Sequence, residues 1–351
     1  MNTLIIPCAG RSSRFPGMRP KYLLTHPDGQ LMVQKSMEGL DLELFDRIII
    51  TIVKPHDEQY EALLVLKQAF EGQSKVEICT LDDFTASASE TVCLTLQRMK
   101  VKGAFVIKDS DNRVEAALPS SPTNAIVGYD LHQHPDVTQV SSKSFLLLEN
   151  DGSVRDIIEK QVVSPIVCLG VYSFESAEEF CRACDELQQS HSVGEMYISH
   201  VISHMISQSC RFKSIMATGY DDWGTLAEWR AVQKKCSAWF VDFDGVLIKN
   251  SGRYGKVNWS NNRELLKENV AQLKKIQAEG GQVIIATSRP EPFRKLIVDM
   301  LSEEGFEPNA LLMGMNHAPR ILVNDFAATN PYPSCLSISL PRNASLKDYI
   351  E

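Results

Sequence analysis

Three short stretches of this sequence set charged groups where phosphate chemistry would use them. The first is Pro7-Cys8-Ala9-Gly10-Arg11-Ser12-Ser13-Arg14-Phe15, with Arg19-Pro20-Lys21 shortly after. A small glycine-containing loop offers backbone N–H groups to anionic oxygens, and Arg14 and Lys21 add positive charge. The second is Lys108-Asp109-Ser110-Asp111-Asn112, acids that directly follow the apolar run Ala104–Ile107. An acid at the carboxyl end of a strand stands at the crevice where open α/β sheets bind ligands. The third is Asp242-Phe243-Asp244-Gly245, after Ala238–Val241. Side chains two apart on an extended chain point the same way, so both carboxylates address one ligand, and the glycine lets the chain turn at once. A basic surface turn is the plainer reading of the first stretch and a polar turn that of the second. A purely structural turn would not require both acids of the third.

Strands and helices alternate around these stretches. Strand-length apolar runs occur at Leu4–Ile6, Arg47–Val53, Lys75–Thr80, Ala104–Ile107, Ala125–Tyr129, Ser144–Leu148, Ile166–Tyr172, Ala238–Val241, Val283–Ala286, Ile321–Val323 and Leu336–Ser339. Amphipathic helical patterns lie at Asp57–Phe70, Ser89–Met99, Ala177–Leu187, Tyr197–Ser207, Glu264–Ala278 and Pro292–Glu304. Such alternation predicts an α/β architecture with mostly parallel sheets. A chain of 351 residues favours two domains. The helical stretch Leu226–Gln233 ends in Lys234-Lys235 and a new buried-strand signal starts at Ala238, which sets domains at 1–234 and 235–351. No Pro/Gly/Ser linker separates them, so packed domains are expected.

Composition narrows the function. A net charge of −8 speaks against a broad nucleic-acid surface. No apolar run reaches the roughly 18–20 residues of a membrane span. Met1-Asn2-Thr3 brings no basic segment ahead of Leu4, so the start reads as a strand, not a signal peptide, and a cytoplasmic protein is expected. The 9 cysteines form no regular framework and read as reduced thiols. Cys181 and Cys184 make a CxxC with no second pair, which disfavours zinc. His200 and His204 have metal-pair spacing, but Val201 stands where H-E-x-x-H has its glutamate, so both read as ordinary helix residues.

The first 225 or so residues resemble the sugar-phosphate nucleotidyltransferase family, whose pattern A-G-x-G-x-R-F, then P-K-x-L, is met by Ala9, Gly10, Arg14, Phe15, Pro20, Lys21 and Leu23. Ser12 replaces the second glycine. The resemblance implies a Rossmann-like mixed sheet and a catalytic Mg²⁺ on Asp111, with Asp109 as second choice. Ile158-Glu159-Lys160 is similar to the family's Glu-Glu-Lys, whose lysine holds the acceptor phosphate, and Leu169-Gly170-Val171-Tyr172 to the strand that follows. Asp221-Asp222-Trp223-Gly224-Thr225 is similar to W-x-D-x-G-T with the Trp displaced, which makes Asp222 the second metal ligand. Glu90 and Thr91 fall where relatives approach the nucleobase, or they cap a helix. The reaction implied is attack by an acceptor phosphate oxygen on the α-phosphorus of a nucleoside triphosphate. It needs no general base, only positioning and charge stabilisation.

The last 115 or so residues resemble the haloacid dehalogenase-like (HAD) superfamily. By that resemblance Asp242 is a nucleophile forming an aspartyl-phosphate and Asp244 an acid and base. Val283–Arg289 is similar to the second motif, with Thr287 and Ser288 on phosphate, and Ile321–Asp325 to the fourth. Asp242, Asp244 and Asp325 would hold Mg²⁺. No lysine occupies the third-motif position, where Arg320 or His317 would have to substitute, and Asn324 stands where many relatives have a second acid. Only 42 residues lie between Asp244 and Thr287, too few for a large cap.

The expectation is a bifunctional Mg²⁺-dependent enzyme of surface-polysaccharide precursor synthesis. Its partners are a nucleoside triphosphate, CTP favoured by the compact first domain, and a sugar phosphate or phospho-alcohol. Neither nucleic acid nor membrane is expected, and a homo-oligomer is compatible. Alternatives are an active transferase with a degenerate, structural or regulatory HAD-like domain, and a nucleotide-binding regulator without turnover.

Overall fold

Leu4-Ile5-Ile6 is apolar at every position, the pattern of a strand covered on both faces, and it becomes an inner strand of a large sheet. The computed structural model describes residues 2–121, 123–133, 140–190, 195–253, 255–325 and 335–350. Two compact units result, residues 1–228 and 229–351. The division lies a few residues ahead of the joint read from the sequence and falls inside the helix Leu226–Lys235.

The first unit carries β1 (Thr3–Pro7), β2 (Arg47–Val53), β3 (Val76–Leu81), β4 (Phe105–Lys108), β5 (Asn112–Glu115), β6 (Ala125–Asp130), β7 (Ser144–Leu148), β8 (Ser153–Glu159), β9 (Ile166–Phe174), β10 (Phe212–Met216) and β11 (Gly219–Asp222). Its helices are α1 (Met32–Met37), α2 (Lys54–Tyr60), α3 (Ala62–Ala69), α4 (Ala88–Arg98), α5 (Ala177–Ser190) and α6 (Ile198–Ser207). Nine strands form one sheet in the order β3-β2-β1-β4-β9-β6-β10-β8-β7. Ile5 joins an apolar cluster on one face while Leu4 and Ile6 join another on the opposite face.

The sheet is mixed, which corrects the mostly parallel reading. β1 runs parallel to β2 and β4, and β2 to β3, but β9 is antiparallel to β4, β6 and β7. β7 and β8 are also antiparallel. Residues 149–152 are too few for a crossover, so this pair closes as a hairpin. The helix read over Asp57–Phe70 is two helices. Glu61 breaks it at φ 52°, and the Asp57 carboxylate accepts from Leu63 N at 2.8 Å, drawing a local bond away from the helical ladder.

The second unit has three parallel strands, β12 (Ala238–Asp242), β13 (Gln282–Ala286) and β14 (Ala310–Leu312), in that order. Helices α7 (Leu226–Lys235, shared with the first unit), α8 (Lys256–Asn261), α9 (Lys267–Ala278) and α10 (Arg294–Glu303) complete the regular elements. Val270, Leu273, Val283, Ile285, Ile297 and Leu301 meet in its core. The strands expected at Ile321–Val323 and Leu336–Ser339 do not form. Ile321 is 83% exposed and Val323 93%. Aliphatic residues favour a pleated surface only where a neighbouring strand supplies it, and β13 is the only strand paired with β12 among the described residues.

All nine cysteines are free thiols. No helix among the described residues is long and apolar enough to cross a membrane.

Candidate active site

β1 and β4 are parallel neighbours, Ile5 opposite Ile107, so the loop after Pro7 and the acids after Lys108 leave the sheet side by side. Cys8 N donates to Thr51 O at 2.7 Å and Ala9 is buried, which fixes the start of the loop. A Cβ on Gly10 would meet no protein atom within 4 Å. The glycine thus leaves open space, the condition for a ligand to approach the backbone closely. Ser12, standing in place of the family's glycine, takes φ 50°. Left-handed backbone costs an L-residue about 1–2 kcal/mol. The loop is tied locally, since Ser12 O accepts from Phe15 N at 2.8 Å and Ser12 Oγ from Lys21 N at 3.1 Å.

Asp111 is buried and receives Lys21 Nζ at 2.6 Å, with the exposed Arg14 guanidinium 3.7 Å away. Burial alone would raise the Asp111 carboxyl, but Lys21 and Arg14 outweigh it and hold the group well below the usual carboxylate range. Asp222 arrives from more than a hundred residues away. β5 and β11 pair antiparallel as a two-stranded ribbon with Asp222 opposite Asn112, and Trp223 N donates to Asp111 O at 2.9 Å. The displaced Trp223 is buried, and the backbone bond it makes zips the two acids together. The point where a Cβ on Gly224 would sit is 3.2 Å from Asp222 Oδ1, 3.3 Å from Asp111 Oδ2 and 3.5 Å from an Arg14 nitrogen. A side chain there would fill the space that both carboxylates face.

Sequence reasoning missed the groups behind these acids. Lys143, just before β7, donates to Asp222 Oδ2 and, at 2.8 Å, to Tyr220 Oη. Lys108 is wholly buried, and its ammonium donates to Asp109 O at 2.7 Å, Asn112 O at 2.8 Å and Asn112 Oδ1. Burial pulls the Lys108 ammonium down while neighbouring acids pull it back. Asp109 is raised by burial and then by the like charge of Asp111. Its carboxylate packs on Gly170, where a Cβ would lie 2.1 Å from Oδ2, so Gly170 keeps φ +70° for a steric reason. Asp109 therefore turns toward Gly170, and Asp111 is the acid that faces Asp222.

The remaining predicted contacts divide. Lys160, at the end of β8, lies over the Tyr197 ring at 4.1 Å and donates to its hydroxyl. Its N–H donates to Lys143 O at 3.1 Å, which sets the two lysines in adjoining backbone. Glu159 accepts from Ser144 Oγ and, at 2.6 Å, from Ser199 Oγ, so it braces the fold. Glu90 accepts from Ala86 N at 2.6 Å while Ser87 Oγ accepts from Glu90 N at 3.2 Å, a cap at the start of α4. Thr91 is buried and bonds Thr85 Oγ1 and Ser87 O.

Asp242 ends β12 opposite Ala286, so Thr287 emerges beside it. Burial raises the Asp242 carboxyl, and Arg320 partly offsets this from 3.2 Å. Gly245 turns the chain at φ 91°. Arg289 Nε and NH2 donate to Asp244 Oδ2 and Oδ1 at 2.9 and 2.7 Å, a bidentate pair that motif matching did not reveal. Thr287 is fully buried and its Oγ1 accepts from Arg289 N at 3.2 Å, while Ser288 is half-buried.

The two units differ in how they gather their acids. Mg²⁺ commonly takes one or two carboxylates and completes its shell with water and substrate phosphates. The convergence of Asp111 and Asp222 fits that pattern. In the second unit Asp325 is exposed and is not brought to Asp242 and Asp244, because no strand forms at Ile321–Val323 to carry it. Among the described residues no three His, Cys, Asp or Glu side chains form a metal-holding group. The three-acid set read from the sequence is thus not assembled.

No protein-family model matches the chain, and no curated protein matches it. Solved structures do. The nucleoside-diphosphate-sugar pyrophosphorylase from Vibrio cholerae RC9 is similar at TM-score 0.55 and 22% identity, over 66% of this chain and 99% of that one. A UDP-glucose pyrophosphorylase complexed with UDP-glucose is similar at TM-score 0.50 and 14% identity, over 67% of this chain and 97% of that one. Over about two-thirds of its length, the chain has the fold of the sugar nucleotidyltransferases.

Proposed function

We propose that the first unit transfers a nucleotidyl group from a nucleoside triphosphate, CTP in the first instance, to a sugar phosphate or phospho-alcohol, with release of pyrophosphate. The observation that carries this reading is the β5–β11 ribbon, which turns Asp111 and Asp222 toward one point beside Arg14 and Lys21. The similar structures support it by their names, which describe pyrophosphorylases of nucleotide sugars.

An acceptor phosphate oxygen attacks the α-phosphorus, and the bond to the β-phosphate oxygen breaks. Both reactants are anions, so their approach is the barrier. Arg14 and Lys21 neutralise the triphosphate and the departing pyrophosphate. Lys160, leaning on Tyr197, orients the acceptor phosphate. Lys108 props Asn112 and so holds the ribbon at its base. Mg²⁺, held by Asp111 and Asp222, would supply positive charge between the two substrates.

For the second unit we propose phosphate transfer to Asp242 followed by hydrolysis, as a second activity of one cytoplasmic enzyme of polysaccharide precursor synthesis in which Mg²⁺ serves the first unit, with the domain boundary at 234/235. The favouring observation is Asp242 at a strand end, opposite Ala286 and so beside Thr287, with Arg320 on one oxygen. A pyrophosphate-release screen of nucleoside triphosphates against sugar 1-phosphates and phospho-alcohols tests the first activity. No release with any pair sinks it. Asp242→Asn tests the second, since phosphoester hydrolysis must vanish while pyrophosphate release persists.

A further inference from the structure

Each acid of the first unit's pair carries its own ammonium. Lys21 donates to Asp111, and Lys143 donates to Asp222. The two lysines come from opposite sides of the proposed reaction. Lys21 follows the loop after β1, which faces the triphosphate in that reaction. Lys143 stands just ahead of β7. Ser144 pairs with Glu159 in the β7–β8 hairpin, so Lys143 and Lys160 are the next residues outward. Lys160 N donates to Lys143 O at 3.1 Å, which ties Lys143 to the lysine that faces the acceptor phosphate.

The Lys143 side chain is only 12% exposed. Its ammonium donates to Tyr220 Oη at 2.8 Å and stands 5.1 Å from the centre of the Tyr220 ring. Tyr220 and Asp222 lie two apart on β11, so both partners address Lys143 from one side of that strand. The plainest role is a counter-ion for Asp222. Two observations reach further. Lys160 takes φ 53°, a strained backbone for an L-residue and one that gathers at ligand clamps. Lys160 also leans on the neutral ring and hydroxyl of Tyr197. The end of the hairpin thus holds two ammoniums on neighbouring backbone. Like charges at facing hairpin positions repel, and an anion between them removes the repulsion.

We propose that Lys143 is a second ligand of the acceptor phosphate, exchanging Asp222 for that phosphate and holding it together with Lys160. Lys21 makes the matching exchange on the triphosphate side. Asp222 is then released to the metal that the transfer requires. The inference rests on the nucleotidyl-transfer reading given above. It also defines the acceptor by charge. Two ammoniums match the double charge of a terminal phosphate monoester, whereas a carboxylate or a phosphodiester carries one charge and leaves one lysine unpaired.

The test uses the full chain and the nucleotide–acceptor pair that releases most pyrophosphate in the screen above. Lys143→Met should raise the acceptor KM about 10-fold or more, the loss expected for one hydrogen bond to a charged group, while the nucleotide KM and the Mg²⁺ concentration for half-maximal rate stay within about twofold. Lys143→Gln keeps a donor for Tyr220 without the charge. It should behave as the Met variant does and replaces it if that variant does not fold. Lys143→Arg should recover most of the loss. A second measurement needs no turnover. Inorganic phosphate is titrated calorimetrically into the chain saturated with Mg²⁺ and α,β-methylene-CTP, and its Kd should rise about 10-fold in Lys143→Met. An acceptor KM and a phosphate Kd that both match wild type, or a Mg²⁺ requirement that rises in their place, reduce Lys143 to a counter-ion of Asp222. Either result overturns the proposal and leaves the transfer reading intact. If no pair releases pyrophosphate, the transfer reading falls while the phosphate Kd still decides on Lys143. A wild type that neither releases pyrophosphate nor binds phosphate removes both.

Discussion

Asp111 follows a buried strand and Asp244 a half-exposed one, and each meets a cation, yet the two cations are anchored differently. Lys21 approaches Asp111 with one ammonium, and Arg14 stands by with a side chain 59% exposed. Such groups could leave the carboxylate and turn to a phosphate if Mg²⁺ took their place, as the proposed transfer requires. Arg289 grips Asp244 with two nitrogens and has no exposed surface. It cannot leave without unmaking the loop around it. A motif reports that acids and cations are present, but not how firmly each cation is held.

The largest expected effect lies in the exchangeable site. Asp222→Asn and Asp111→Asn should each lower kcat/KM for pyrophosphate release by about 10³-fold, roughly 4 kcal/mol of transition-state stabilisation. Neither change should unfold the unit, because the ribbon's backbone bonds do not use these side chains. Rates within threefold of wild type for both variants would deny the acids any part in the chemistry.

Next comes a stability contrast between the two anchors. Arg289→Met leaves Asp244, 23% exposed, beside an apolar neighbour and should cost about 2–3 kcal/mol after allowance for that exposure. Lys21→Met leaves Asp111 in a cluster of acids and should cost a similar amount. Millimolar Mg²⁺ should restore much of the Lys21→Met loss, because a ligand that binds only the folded state adds its binding free energy. It should restore little of the Arg289→Met loss. Urea unfolding with and without Mg²⁺ reads both, and equal rescue would erase the distinction drawn between the sites.

The parts of this comparison visible in the sequence were those that depend on local pattern. Leu4-Ile5-Ile6 and Ala238–Val241 announce strands, and the acids after Ala104–Ile107 and after Ala238–Val241 follow from spacing, but only the first strand is buried: among the described residues β12 pairs on one side alone and leaves Ala238 and Phe240 exposed. The ribbon that joins Asp111 to Asp222 was not visible. Asn112–Glu115 and Gly219–Asp222 are four residues each and mostly polar, so neither carries a strand signal until the other is beside it. Lys143 and Arg289 were passed over for a related reason. Nothing local tells a lysine or arginine facing solvent from one turned inward onto an acid. Ile321–Val323 erred in the other direction, with a strong local signal and no partner strand to realise it.

A gentler probe uses pH. His56, in the first unit, is buried among the rings of Tyr22, Tyr60 and Phe84, and its Nδ1 lies 3.2 Å from Tyr22 Oη. Burial pushes its pKa down to about 4. The unfolded chain takes up this proton near 6.5, so between the two values protons favour the unfolded state. Stability is full above about pH 6.5 and falls as pH drops toward 4. The His56 share of the loss between pH 7 and 5 is about 2 kcal/mol. A His56→Gln variant should be less stable at pH 7 yet show a flatter decline, and parallel declines would remove His56 as the cause.

The smallest effect concerns the loop itself. Ser12 sits at φ 50° and its Oγ accepts from Lys21 N. Ser12→Ala keeps the strained backbone and loses the hydrogen bond, which should cost about 1 kcal/mol. Ser12→Gly loses the same bond but relieves about 1–2 kcal/mol of strain, against an entropic cost near 0.5–1 kcal/mol. The two losses and the gain nearly cancel, so Ser12→Gly should lie within about 0.5 kcal/mol of wild type. The difference between the variants, about 1 kcal/mol in favour of glycine, isolates the backbone contribution because both lack the hydroxyl. Pyrophosphate release should survive in both, since Gly10, Arg14 and Lys21 are untouched. A glycine variant less stable than the alanine variant by about 0.5–1 kcal/mol, the bare entropic cost, would mean that the serine carries no strain at this turn, and the family's glycine would then need another explanation, such as the close approach of a bound phosphate.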